Sequence, residues 1–275
     1  DGHTLAAENE DHTLNLYDLS NDTGPRTLGT PSASPTVEIT NSIVFSGDSR
    51  LIASSRANLS SAQVSVWEVS SGRLITQFPG SAVNFSADGT TLVVGGSAGG
   101  APALRDLATG KQTALSAGAS AVVDVAPLAG RQTVAAAMED GTIRFWNVTT
   151  AELVRTLECP GHSAATSVSA DTTARWLATG CRDGSAWLWD LAAPSGGPRQ
   201  ITAATQQLAT TLVRFSPDGH WIAVGVKDQL VIWSVLEGRE INRANLPESQ
   251  LPPLMGAAAD IDTRSIQALA IGPDS

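Results

Sequence analysis

One short segment recurs six times at near-constant spacing, and that recurrence restricts what the chain can fold into more than any other feature. The clearest copies are EDGTIRFWNV (139–148) and RDGSAWLWDL (182–191). Looser copies are EDHTLNLYDL (10–19), SSAQVSVWEV (60–69), GGAPALRDL (99–107) and VKDQLVIWSV (226–235). In each, a turn precedes an alternating apolar segment that ends in an aromatic–acidic pair or a degraded form of it. With the Trp position as phase marker, the copies fall at Tyr17, Trp67, Arg105, Trp146, Trp189 and Trp233, spaced by 50, 38, 41, 43 and 44 residues. A unit of four short strands takes about 40–45 residues.

A second motif precedes the markers. It reads FSPDGHWIAVG at 215–225 and FSADGTTLVVGG at 85–96, with variants FSGDSRLIASS (45–55) and VSADTTARWLATG (168–180). Asp and Gly suit a tight turn between two strands. The segments that follow alternate in polarity, as half-buried strands do. After each marker comes a turn, such as SSG (70–72) or LEG (236–238), and a further strand, such as RLITQF (73–78) or REINRA (239–244). Each period is therefore strand-turn-strand-turn-strand-turn-strand. Such four-stranded antiparallel units cannot bury both faces alone. A radial arrangement lets each cover its neighbour.

These motifs resemble the WD40-repeat family over essentially the whole chain. The resemblance implies an all-β, WD40-type β-propeller occupying 1–275 as a single domain. It implies six four-stranded antiparallel blades, with seven as the alternative, closed by strands from both termini. The blades are expected at 1–30 plus 265–275, 37–80, 81–118, 119–160, 163–203 and 208–246, with a Pro-rich insert loop at 245–264. The Trp-Asp dipeptide itself is intact only at Trp189–Asp190, and the blade at 81–118 is the most degraded.

The family often ties a blade with a His, a Ser or Thr, a turn Asp and the Trp. The resemblance puts this structural tetrad at His162, Thr179, Asp183 and Trp189. A buried indole N–H and a turn carboxylate both need partners. The turn aspartate also recurs at Asp11, Asp140 and Asp228, without a matching His.

Composition narrows function. A net charge of −10 with only two lysines, Lys111 and Lys227, disfavours nucleic acid. No apolar run approaches the about 18 residues of a membrane-spanning helix. Cys159 and Cys181 are expected to be free thiols in a reducing compartment, with one bridge left open as the alternative. No signal peptide is seen and the chain starts at Asp1 without Met, so it reads as a piece of a longer protein, expected in the cytoplasm.

Other chemistry is weak. GGSAG (95–99) around Ser97 matches a nucleophile elbow, but it falls in a hairpin rather than a strand-to-helix turn. His3, His12 and His220 lie in separate turns. No metal site, cofactor or catalytic residue is expected. NDT (21–23), NLS (58–60), NFS (84–86) and NVT (147–149) match the glycosylation sequon by chance. Trp176, Trp187 and Trp221 are expected to be packed.

Two functions follow. The first is a non-catalytic scaffold for a protein or peptide partner, whose binding residues the repeat does not mark. The resemblance adds that such domains in bacteria are often appended to signalling proteins, and a monomeric sensor domain is expected. The alternative is a propeller enzyme of the hydrolase or lactonase type with an axial site.

Overall fold

The structure, a computed structural model, describes residues 4–9, 13–20, 24–29, 39–57, 61–86, 88–96, 102–115, 120–130, 132–193, 196–204, 211–227 and 229–245. Asp11, Asp228, His3, His12, Ser97, the strand expected at 265–275 and nearly all of the 245–264 insert lie outside them. The chain divides into two compact units, Asp1–Glu158 and Cys159–Ser275.

The first unit holds four sheets. The first sheet is β1 (Thr4–Glu8), β2 (Leu14–Asp18) and β3 (Arg26–Leu28). The second is β4 (Ile39–Phe45), β5 (Leu51–Ala57), β6 (Ala62–Glu68) and β7 (Leu74–Pro79). The third is β8 (Val83–Phe85), β9 (Thr91–Val94), β10 (Ala103–Asp106) and β11 (Gln112–Ala114). The fourth is β12 (Val122–Leu128), β13 (Thr133–Met138), β14 (Thr142–Asn147) and β15 (Leu153–Glu158).

The second unit holds a fifth sheet, β16 (Ala165–Ala170), β17 (Trp176–Cys181), β18 (Ala186–Asp190) and β19 (Arg199–Thr202). The sixth is β20 (Thr211–Phe215), β21 (Trp221–Val226), β22 (Gln229–Ser234) and β23 (Arg239–Asn245). Every sheet is a run of antiparallel hairpins in chain order, the meander that the repeat predicts. Among the described residues the first sheet has three strands and the other five have four.

In the second, third, fifth and sixth sheets the hairpin between the first two strands is built by its own side chains. Asp48 Oδ1 accepts from the Ser46 hydroxyl at 2.6 Å and the Arg50 amide at 3.1 Å. Ser86 with Asp88, and Ser216 with Asp218, make the same turn. Gly89 and Gly219 take the positive φ of this turn (70° and 73°), a conformation that costs other residues dear. In the fifth sheet the partners are exchanged: Asp171 stands where the serine does and receives the Trp176 amide at 2.7 Å.

Strand alternation explains how the sheets cohere. On β9, Leu92 and Val94 join the core shared with the second sheet, through Val64, Val66 and Phe78. Val93, between them, joins the core shared with the fourth sheet, through Val134 and Trp146. A strand has a side-chain period of two, so such a sheet is buried on both faces. Three of the marker tryptophans follow one rule. Trp67 packs on Leu14, Leu16 and Leu28 of the first sheet. Trp146 packs with residues of the third, and Trp233 with Ala178, Leu188 and Ile201 of the fifth. Each leans on the sheet before its own.

Side chains also stitch first strands together. In the second unit, the Thr166 hydroxyl donates to the Thr211 carbonyl at 2.8 Å, and Ser169 Oγ accepts from the Phe215 amide at 3.1 Å. In the first unit, Asn84 Nδ2 donates to the Val125 carbonyl at 3.0 Å.

The expectation of free thiols is overturned. Cys159 and Cys181 form a disulfide, with their Cα atoms 6.5 Å apart, and both are buried. Folding brings the segment before β16 beside the end of β17, a proximity that a separation of 22 residues does not display.

Candidate binding surface

Turns and connections carry function in rigid β scaffolds. A cleft of about 250 Å³ opens between the third and fourth sheets. Its floor is Val93, Leu128 and Val134, all buried. Its mouth carries Asp88, Gln132 and Val148. A cavity of about 150 Å³ with apolar walls takes up benzene, so this one suits one large apolar side chain. It falls below the about 300 Å³ at which small-molecule sites begin.

The mouth is negative. The Ser86 hydroxyl bond, helped by the Thr90 amide, holds the Asp88 carboxyl below its ordinary range against a smaller opposing effect of burial. The Ser86 hydroxyl, the Thr90 amide and the Thr90 hydroxyl all donate to Asp88 Oδ1. Gln132 is steadied by the Thr149 hydroxyl, which donates to its Oε1 at 3.0 Å.

The corner carrying the expected tetrad draws in two further residues, Ser185 and Trp187. Trp189 Nε1 donates to Thr179 Oγ1 at 2.9 Å, both residues being buried. Asp183 Oδ1 receives the Ser185 amide and hydroxyl at 2.9 and 2.6 Å. Trp187 Nε1 donates to that same hydroxyl at 2.9 Å. The turn therefore engages a second tryptophan, and Ser185, absent from the sequence expectation, is the link. The repeat Asp-Gly-Ser at 183–185 was the available signal. His162 is exposed, in a short 3-10 turn at Pro160–His162 with φ of 57°.

The remaining expected residues are dispersed. Asp140 receives the Thr142 amide and hydroxyl and pairs with Arg144 at 2.5 Å. Burial raises its pKa, but those bonds and the cation outweigh it, and the carboxyl sits below its ordinary range. His220 Nδ1 lies 2.9 Å from Asp218 Oδ2 on the surface. Trp176 lies under the Arg175 guanidinium, 5.0 Å from the ring centroid. Asn84, in one sequon, spends its amide on Val125. Among the described residues, no three His, Cys, Asp or Glu side chains gather as a metal site would.

Trp233 departs from its counterpart Trp189. Its indole N–H is buried without a partner among the described residues. Val224 of β21 occupies the place that Thr179 has in β17, and a valine offers no acceptor.

Comparison with known proteins supports the geometry. The family described as WD domain, G-beta repeat matches residues 111–147 and 151–190. Each match begins just before or at the last strand of one sheet and ends with the third strand of the next. The U3 small nucleolar RNA-associated protein 21 homolog of Schizosaccharomyces pombe is 37% identical over 100 residues, 36% of this chain. The match covers only 10% of that protein's length. The crystal structure of the Myceliophteria thermophila Cps50 (Swd1) β-propeller domain superposes with a TM-score of 0.74. It covers 90% of this chain and 84% of that one at 15% identity, a likeness of fold.

Proposed function

Since the chain is a WD40-repeat β-propeller, we propose that it serves as a non-catalytic platform binding a protein or peptide through the turns at the sheet ends. The observation that carries this reading is the cleft between the third and fourth sheets. Its apolar floor and its size fit an anchoring side chain, the element that dominates protein recognition. The net charge of −10 favours a protein partner with basic residues over nucleic acid. In this reading the domain is the partner-sensing part of a longer signalling protein. The support for that finer role is the resemblance of its degenerate repeats to domains appended to signalling modules.

The test is selection of a displayed random peptide library on the purified chain, followed by affinity measurement with Gln132→Trp, which fills the cleft mouth from an exposed position. The reading expects peptides with one large apolar residue beside Lys or Arg, and at least about tenfold weaker binding to the variant. It is overturned if no peptide is enriched while the chain hydrolyses simple esters or lactones. Equal affinity for both proteins would remove the cleft as the site.

A further inference from the structure

The loop from Cys159 to Ala164 is an exposed segment tied down at both ends. Cys159 is 1% exposed and Cys181 is buried completely, yet Gly161 and His162 between bridge and strand face solvent. Both have positive φ, 83° and 57°. For histidine this is a costly conformation that persists only when its surroundings impose it. Several bonds hold the segment in place. The His162 amide donates to the Cys159 carbonyl at 3.0 Å. The Arg182 amide donates to the Ala164 carbonyl at 2.8 Å, and the Asp183 amide to Ser163 Oγ at 3.0 Å. The disulfide is the covalent member of this set, and it joins the loop to the turn between β17 and β18. That turn is held by Asp183 and Ser185, which also anchor Trp187.

We propose that the Cys159–Cys181 bridge is a redox-operated clamp that fixes the 160–164 loop against the 182–185 turn, at one end of the fifth sheet. A thiol such as glutathione attacks one sulfur, breaks the Sγ–Sγ bond and forms a mixed disulfide. A second thiol releases it. Each cysteine sulfur ends with one proton, and the two reductant thiols end as one disulfide. Because both sulfurs are buried, attack waits for the corner to open, and the clamp responds slowly. A reducing cytoplasm, the setting expected from the sequence, releases the clamp; an oxidising compartment keeps it shut. Its value for binding rests on the platform reading, whereas the clamp itself is measured with no partner.

The experiment is hydrogen exchange of the whole chain in oxidised and reduced glutathione buffers, with alkylation mass analysis of each sample. The oxidised protein should show no alkylated thiol, and the reduced protein two. Exchange at 160–164 and 182–185 should rise roughly 100-fold on reduction, the factor corresponding to about 3 kcal/mol for a closed loop of this size. Exchange within β21 and β22 should stay unchanged. The double variant Cys159→Ser with Cys181→Ser should reproduce the reduced protein and ignore the buffer; if it fails to fold, the wild-type titration alone decides. Two alkylated thiols in the oxidised protein would overturn the proposal. So would unchanged exchange on reduction, or an equal rise in all strands of the unit, which marks a global staple.

Discussion

The Arg105 guanidinium carbon lies 4.3 Å from the centroid of the Phe78 ring. Arg105 stands at the marker position of the third sheet, where other sheets carry tryptophan, and Phe78 belongs to the sheet before it. The most degraded repeat thus keeps the backward-leaning contact of its neighbours by exchanging an aromatic for a cation over an aromatic face. Arg105→Ala should lower stability by about 1–2 kcal/mol, since both the cation–π contact and the aliphatic stem are lost. Arg105→Lys should recover only part, because a lysine lacks the flat guanidinium that stacks on a ring. Urea midpoints of the three proteins check the order.

The contrast between Trp189 and Trp233 predicts opposite responses to a hydroxyl. Thr179→Val removes the acceptor 2.9 Å from Trp189 Nε1 and should cost about 1–3 kcal/mol by leaving a buried donor unpaired. Val224→Thr puts a hydroxyl at the same place beside the unpartnered Trp233 Nε1 and should be neutral or stabilising by up to about 1 kcal/mol. Thermal melts decide. A loss from Val224→Thr matching that from Thr179→Val would refute the equivalence of the two positions.

Gly180 of β17 sits against the first strand of the next sheet. A Cβ there would stand 2.2 Å from the Thr211 carbonyl oxygen, which is backbone and cannot swing aside. Gly180→Ala should destabilise by about 1–3 kcal/mol or more through overpacking. It should also weaken protection of the amides on β20, read by hydrogen exchange. Alanine at Gly24, with nothing within 4 Å of its Cβ, is the control and should leave both readouts unchanged.

The serine–aspartate turns predict an acid-sensitive fold. The carboxyls of Asp48, Asp88 and Asp218 are held below their ordinary range, first by the hydroxyls of Ser46, Ser86 and Ser216. A carboxylate with a depressed folded pKa contributes stability that is present in full above its unfolded value, about 3.9, and is lost as pH falls through the folded value. Stability should hold from neutrality to about pH 5 and fall below about pH 4. The triple variant to Asn should flatten that decline. Urea midpoints across this range, compared with wild type, measure it.

The sequence makes the sheets legible because each carries a marker and an alternating strand, which report the polarity of single positions. Trp189 with Thr179 could be anticipated for the same reason. What escaped depends on pairs. The ring of Phe78 beneath Arg105 lies in a strand whose own alternation gives no hint of a cation. The bridge from Cys159 to Cys181 needs two chain segments to meet. Ser185 becomes a link only through the position of Trp187. The cleft is a gap between two sheets, a product of packing with no residue signature.

The tryptophans that lean on the preceding sheet give the chain a direction. Trp67, Trp146 and Trp233 each rest on strands closer to the N-terminus than their own. On a ribosome, where the N-terminal part emerges first, each of these indoles leaves the exit tunnel after its docking surface has been synthesised. The large aromatic surface of the protein is thereby spared waiting in water for a partner still to be translated.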